Sequence, residues 1–148
     1  MKCAAEFIMM KKEAIAKHEA ELETICAERR KNAIELIETV ISDGLAKRAI
    51  NRQSLEVFLE VSIKEDEAGK YFKSISWWTP YADGTRHGIP AGPAFDYTTF
   101  VKYLKKYCID CSDGGAIHKY SEYTKKDIHY YNKLRIFIPI ESNRDCGI

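Results

Sequence analysis

The first 43 residues contain neither glycine nor proline and consist mostly of residues that favour helices. Apolar positions are sparse at first, with Ile8, Ile15 and Leu22 spaced seven apart, and form a wide stripe from Ala33 onward. Such a stripe is typical of a helix that packs on a sheet. The pattern predicts one long N-terminal helix whose second half is docked and whose first part, residues 1–30, forms a helical arm.

Two positions are expected to interrupt this helix. The polar segment 28–32 breaks the apolar stripe, so we expect the helix to bend there. Asp43-Gly44 provides a stop signal, because glycine is common just past the C-terminus of a helix.

Alternating residues then predict a β-hairpin. Apolar residues occupy every second position from Leu55 to Ile63, which indicates one buried face, and the run from Lys70 to Trp78 alternates again. Two such runs separated by a charged turn are expected to pair as antiparallel strands. Because neighbouring residues of a strand face opposite sides, only one of Trp77 and Trp78 should lie in the core.

A short helix with a recognisable start follows. Asp96 can cap the free backbone amides, and Phe95 can pack on Phe100 in front of the first turn. The helix should run to about Lys106.

Two further strands complete the predicted α+β fold. They are expected at residues 107–111 and 134–140, which gives a mainly antiparallel sheet of about four strands. The long helix packs on this sheet as part of a single domain, residues 31–141, and residues 142–148 form a flexible tail.

Two segments show no regular pattern. Residues 79–94 contain three of the four prolines and three of the eight glycines, which predicts a long loop of the kind that often carries function. Residues 117–133 are rich in Tyr and Lys; Thr124 and Asp127 favour the start of a short helix there, and a loop is the alternative.

The bulk composition limits the classes of function. With 23 basic and 22 acidic residues the net charge is +1, which excludes a globally basic nucleic-acid coat protein. No run of 18 apolar residues is present, and the opening residues alternate where a signal peptide would be apolar, so a cytoplasmic protein without a membrane partner is expected. The chain has five cysteines, an odd number, and because the cytoplasm is reducing we expect them to be free thiols.

The strongest compositional bias lies between Tyr97 and Arg135, with seven of the nine tyrosines and eight Lys or Arg against four acidic residues. Interleaved cationic and aromatic side chains suit a protein interface. They equally suit nucleic acid, and the tyrosines can instead belong to the core. With the long loop added, the candidate partner-binding residues are Trp78, Tyr81, Arg86, His87, Tyr120, Tyr123, Lys125, Lys126, Tyr130 and Tyr131.

Other chemical candidates are weaker. Zinc could be bound by Cys108, Cys111, His118 and His129, but on a strand the two cysteines would face opposite sides. Arg86 and His87 sit in a loop without a motif that specifies a reaction, so no catalytic residue and no cofactor is predicted.

Two clusters of acidic residues allow more than one interpretation. The hairpin tip, residues 65–67, either is solvated or mimics phosphate toward a basic partner. Glu56 and Glu60 share a strand face with Phe58 and extend that acidic surface if the face stays uncovered.

Three pieces of the chain resemble small uncharacterised proteins of bacteriophages and mobile elements. They are residues 4–15, residues 41–44 followed by 55–63, and residues 100–109 together with 134–138. The resemblance implies a phage or prophage origin. Because small phage proteins often inhibit host defence, it also implies an anti-CRISPR-like inhibitor, and it assigns no functional residues.

We therefore expect a non-enzymatic protein that occludes the functional surface of a host protein or ribonucleoprotein complex in the bacterial cytoplasm. A helix of about 65 Å outruns a compact domain of about 38 Å, so self-association through it is also expected. Two alternatives stay open: a small enzyme or binder of nucleotides or other small molecules that uses loop 79–94, and a nucleic-acid-binding protein.

Overall fold

A computed structural model of the chain describes residues 1–50, 55–79, 86–89, 92–121 and 126–138, with the backbone alone for 48–50, 74–75, 114–121 and 126–131. The fold is α+β, as predicted. In chain order the elements are α1 (Ala4–Leu36), a π-helical segment (Ile37–Ile41), α2 (Ser42–Ile50), β1 (Leu55–Asp66), β2 (Gly69–Trp78), β3 (His87–Gly88), β4 (Phe95–Asp96), α3 (Tyr97–Lys106), β5 (Asp110–Ser121) and β6 (Lys126–Ile138).

The sheet has strand order β3-β2-β1-β6-β5, and β4 pairs with β2 outside this path. All pairings are antiparallel, and β1 is central because it pairs with β2 on one side and β6 on the other. Over the described residues the sheet therefore has six strands rather than four, because β3 and β4 add two short strands of two residues each. One of them, β3, lies inside the segment 79–94 that was predicted to be a loop without regular structure.

The β5–β6 hairpin corrects the prediction for residues 117–133. In place of a loop or a helix from Thr124, this segment contributes two long strands that pair with each other. Aromatic residues favour strands. In addition, β6 pairs with β1 along its other edge, a contact that the local sequence does not reveal. Thr124 itself lies outside the described residues.

The N-terminal helix is continuous from Ala4 to Ile50, and at about 1.5 Å per residue it is about 70 Å long. The break expected at 28–32 is absent, because these residues belong to uninterrupted α-helix. The irregularity lies further on, in the π-helical segment, where each turn is wider than in an α-helix.

The helix also does not end at Asp43-Gly44, as had been expected. Gly44 is buried within α2, and a Cβ atom added to it would lie 2.7 Å from Cγ2 of Val57 on β1. The glycine therefore serves a close approach between helix and sheet rather than a stop.

The exposed part of the helix meets the β1–β2 turn. Residues 1–21 are all exposed, and burial begins at Leu22. His18 Nε2 lies 2.6 Å from a Glu67 carboxylate oxygen, and both terminal nitrogens of Arg29 donate to Asp66, at 2.9 and 2.7 Å. Two of the three acids at the tip are thus engaged by α1, and Arg29 holds the pKa of Asp66 below its ordinary value.

Helix α3 begins and ends as predicted. Asp96 accepts a hydrogen bond from the Thr99 amide at 2.8 Å, and the last helical residue is Lys106. Phe95 and Phe100 are both buried, and the ring of Phe72 lies 5.2 and 5.0 Å from theirs.

The strand expected at 107–111 starts later, at Asp110, because the helix closes with a Schellman turn. The Cys108 amide donates to the Lys105 carbonyl and the Ile109 amide to the Leu104 carbonyl, both at 3.0 Å. Cys108 has a φ of 58°, a left-handed conformation that is unusual for a residue with a side chain.

The core lies between the sheet and the helices. It joins apolar residues of the long helix and α3 to one face of β1, β2 and β6. Trp77 belongs to it, with 8% of its surface exposed, and Trp78 faces the other side, as predicted.

Candidate interaction surface on the open sheet face

Strand β1 presents two different faces. Val57, Leu59 and Val61 are fully buried in the core beneath the helices. The alternate residues lie on the opposite side, on which no helix of the described chain packs. We name this side the open face and define it by Glu56, Phe58, Glu60, Ser76, Trp78, Arg86, Lys133, Arg135 and Phe137.

Aromatic rings and cations alternate across the open face. Phe58 is the cross-strand partner of Trp78, and their rings stack with centroids 5.5 Å apart. Nζ of Lys133 lies 4.3 Å from the Phe58 centroid, and the Arg86 guanidinium lies 4.3 Å from that of Trp78. Cations at this distance are attracted by the negative faces of the rings, so each ring of the stacked pair has a positive charge beside it.

Two buried carboxylates lie beside the rings. Glu60, only 3% exposed, accepts hydrogen bonds at 3.3 Å from Ser76 Oγ and from Arg86 Nη1. Glu56 is 9% exposed and accepts from two nitrogens of Arg135, with Nε at 2.7 Å. A buried carboxylate is tolerated when it is paired and hydrogen-bonded, and both of these are.

The result is a layered surface with defined side-chain positions. The carboxylates lie below and hold two arginines whose side chains are 55% and 41% exposed, Arg86 and Arg135 respectively. The Arg135 guanidinium also lies 3.9 Å from the ring centroid of Phe137. Cations held by a ring and a carboxylate lose little freedom when a partner binds them, so this surface is suited to contact.

The structure brings together two of the predicted partner-binding residues and separates a third. Trp78 and Arg86 are in direct contact on the open face. His87 pairs with Trp77 and stacks on its ring with centroids 4.3 Å apart.

Of the remaining predicted residues, Tyr120 belongs to β5, and Lys126, Tyr130 and Tyr131 belong to β6. The register of the β5–β6 hairpin pairs Ile117 with Tyr131, His118 with Tyr130, Tyr120 with Asp127 and Ser121 with Lys126. For these residues the backbone position alone is described. Tyr81, Tyr123 and Lys125 lie outside the described residues.

The zinc candidates are spread over different elements. Cys108 lies in the turn after α3, and Cys111 lies in β5, where burial and, second, the charge of Asp113 raise the pKa of its thiol to about 11. His129 pairs with Lys119 rather than with His118. Among the described side chains, no three of His, Cys, Asp or Glu converge as a metal ion would require.

Lys133, Arg135 and Phe137 were not among the predicted site residues. They alternate with the buried Leu134 and Ile136 along β6, so the period-two pattern that identified the strand also placed them on its other face. Their proximity to Glu56 and Phe58 depends on the register of β6 against β1, which no local pattern reveals.

No family model matches the chain, and neither the curated proteins nor the solved structures compared with it gave a match. Within the described ranges, no helix has the length and apolar character needed to cross a membrane.

Proposed function

We propose that the protein is a non-enzymatic binding protein that contacts a partner protein through the open face. The observation that carries this proposal is the pair of cations on stacked rings, Arg86 on Trp78 and Lys133 on Phe58, beside buried carboxylates. Trp and Arg are enriched among the residues that dominate binding energy at interfaces. Held in place before binding, they supply that energy with a smaller entropic cost.

The balance of charge on this face favours a protein over a nucleic acid. Three cations, Arg86, Lys133 and Arg135, stand against the carboxylates Glu56 and Glu60. Phosphate backbones are bound by an excess of positive charge, and the carboxylates offset most of it here. A mixture of both signs around aromatic rings fits the surface of another protein.

For the partner we propose a bacterial defence complex, whose functional surface the protein would occlude. This part rests on the resemblance of three chain segments to small phage proteins. Its test is expression in bacteria with an active CRISPR or other defence system, followed by counting of phage plaques. Restored plaque formation supports the proposal, and unchanged immunity across the systems tested contradicts it.

The contact surface is tested with two double variants. Arg86→Gln with Lys133→Gln removes two cations from the open face, and Lys102→Gln with Lys105→Gln removes two exposed cations from α3. A partner captured from lysate is identified, purified and titrated by calorimetry against each variant. We expect the first double variant to bind about 30-fold more weakly, a loss of about 2 kcal/mol, and the second to bind as the parent does.

Equal binding by both double variants would remove the open face from consideration. If the captured partner is nucleic acid, with affinity that falls steeply as salt rises, the nucleic-acid alternative replaces the proposal.

A further inference from the structure

A cavity of about 340 Å³ lies on the helix side of the sheet, away from the open face. Its apolar wall is made by Ile37, Ile41 and Leu45 of the long helix and by Ile109 before β5. This volume is at the lower end of the range for small-molecule sites, which are mostly apolar with a few polar groups.

The π-helical segment forms one side of this cavity. It contributes Ile37, Glu38 and Ile41, and Ser42 follows directly. Single π-helical turns inside α-helices are rare and are frequently found at functional sites. Here the wide turn brings a carboxylate and a hydroxyl to the mouth of an otherwise apolar space.

Glu38 is held in a defined position at this mouth. The Tyr103 hydroxyl donates to Glu38 Oε1 at 2.6 Å, a bond that raises the pKa of Tyr103 and so keeps its hydroxyl protonated. The rings of Tyr103 and Tyr107 lie next to each other, with centroids 5.2 Å apart and planes tilted by 58°. A carboxylate thus stands beside two aromatic rings.

These groups select for positive charge. Among the described residues that line the cavity, none is Lys, Arg or His and Glu38 alone is acidic, so a phosphate or carboxylate ligand would meet repulsion. Tyrosine faces attract cations, and Nζ of Lys106 already lies 5.7 Å from the Tyr107 ring centroid.

We propose that this cavity binds a small organic ammonium ion, with an apolar or aromatic body against the isoleucines and its nitrogen between Glu38 and the two tyrosine rings. The site is independent of the open face and of the function proposed for it. It is also distinct from the small-molecule site considered for loop 79–94.

The probe is 2-phenylethylamine, compared with 2-phenylethanol and 3-phenylpropanoate, which have a similar apolar body and a neutral or negative end. Binding to the full chain is measured by calorimetry and by shifts of the Ile37, Ile41 and Ile109 methyl resonances. We expect saturable binding of the amine, at least about tenfold weaker binding of the alcohol, and none of the acid. Comparable affinity for amine and alcohol, or no amine binding at millimolar concentration, would overturn the proposal.

Variants locate the binding. Glu38→Gln keeps the size of the side chain and removes its charge, and we expect amine binding to fall about tenfold. Glu35→Gln, an exposed residue one turn earlier outside the cavity, is the matched control and should leave the affinity unchanged. Ser42→Phe fills the mouth and should abolish binding while thermal unfolding stays cooperative. Retention of amine affinity in either Glu38→Gln or Ser42→Phe would show that the cavity is not the site.

Discussion

The two faces of strand β1 are buried by different means. On the core face, Val57, Leu59 and Val61 are covered by apolar side chains of the helices and neighbouring strands. On the open face, Glu56 and Glu60 are also buried, but arginines cover them. One strand therefore contributes both to a packed core and to a polar surface.

The difference determines what each face can do. Apolar packing is close to the density of a crystal and tolerates little rearrangement. The arginines that pair with these carboxylates are 55% and 41% exposed, so they are accessible to a partner while each carboxylate stays hydrogen-bonded. We infer that the core face determines the fold, whereas the open face is available for recognition.

The largest expected effect contrasts two neighbouring residues of β1. Leu59→Ala leaves a cavity in the core and should lower the free energy of unfolding by about 3 kcal/mol. Phe58→Ala, on the open face, should cost about 1 kcal/mol, because Phe58 is only partly buried, and should weaken partner binding. Urea denaturation measures both changes. Equal losses of stability would mean that the two faces are not distinct.

Gly44→Ala tests how tightly the core face is packed against α2. Alanine favours a helix by about 1 kcal/mol over glycine, yet its Cβ would lie 2.7 Å from Cγ2 of Val57. We therefore expect a net loss of about 1 to 2 kcal/mol on thermal unfolding, as is typical of overpacking. Ala46→Gly is the control: Ala46 is exposed, so here the exchange of alanine for glycine should follow helix propensity and destabilise the protein. A stabilised Gly44→Ala variant would contradict the close approach.

A double-mutant cycle tests the pairing on the open face. Glu56→Gln and Arg135→Gln, alone and combined, should give a coupling energy of about 1 kcal/mol, because Glu56 is buried and the contact has two donors. The matched cycle on Asp43 and Lys47, an exposed pair at 3.2 Å in α2, should give less than about 0.5 kcal/mol. Similar couplings would show that burial adds nothing to the open-face pair.

The smallest expected effect concerns the ion pair between Arg29 and Asp66 at the β1–β2 turn. Because Arg29 lowers the pKa of Asp66 below 3.8, the stability from this pair is present above pH 3.8 and is lost as pH falls through the folded-state pKa. Asp66→Asn should therefore lower Tm at pH 7, and its difference from the parent should shrink in stronger acid. Arg29→Gln should remove the same pH-dependent part. A constant difference across this range would contradict the linkage.

Elements coded by short-range signals could be predicted from the sequence. The alternation in β1 and β2, the cap at Asp96 and the opposite faces of Trp77 and Trp78 each depend on residues a few positions apart. The end of β6, residues 134–138, was predicted from its alternation, but the Tyr- and Lys-rich part of the β5–β6 hairpin, residues 117–133, was not, because its strands gain their partners from each other and from β1. That part of the hairpin has no regular alternation of apolar and polar residues to recognise.

The residues of the candidate site likewise fall into those that the sequence reveals and those that only the fold brings together. Trp78 and Arg86 were found through residue type, and Glu56, Phe58 and Glu60 through strand alternation. The contacts that make them a surface, from Lys133 and Arg135, require a register across about 75 residues of chain, which is set by packing of the whole sheet. The Gly44 stop was predicted wrongly because a glycine that ends a helix and one that lets a helix touch a sheet look alike in sequence.

The wide turn at Ile37–Ile41 also explains how so long a helix keeps one side on the sheet. Ala33, Ile37, Ile41 and Leu45 recur every four residues and are all buried. Four residues advance an ordinary α-helix about 40° past a full turn, so such a series would spiral around the rod. A segment with i→i+5 bonding rotates less per residue and cancels this drift. The segment thus acts as a phase correction: if the same five residues rotated as an ordinary α-helix does, Gly44 and Leu45 would turn away from the core that they face.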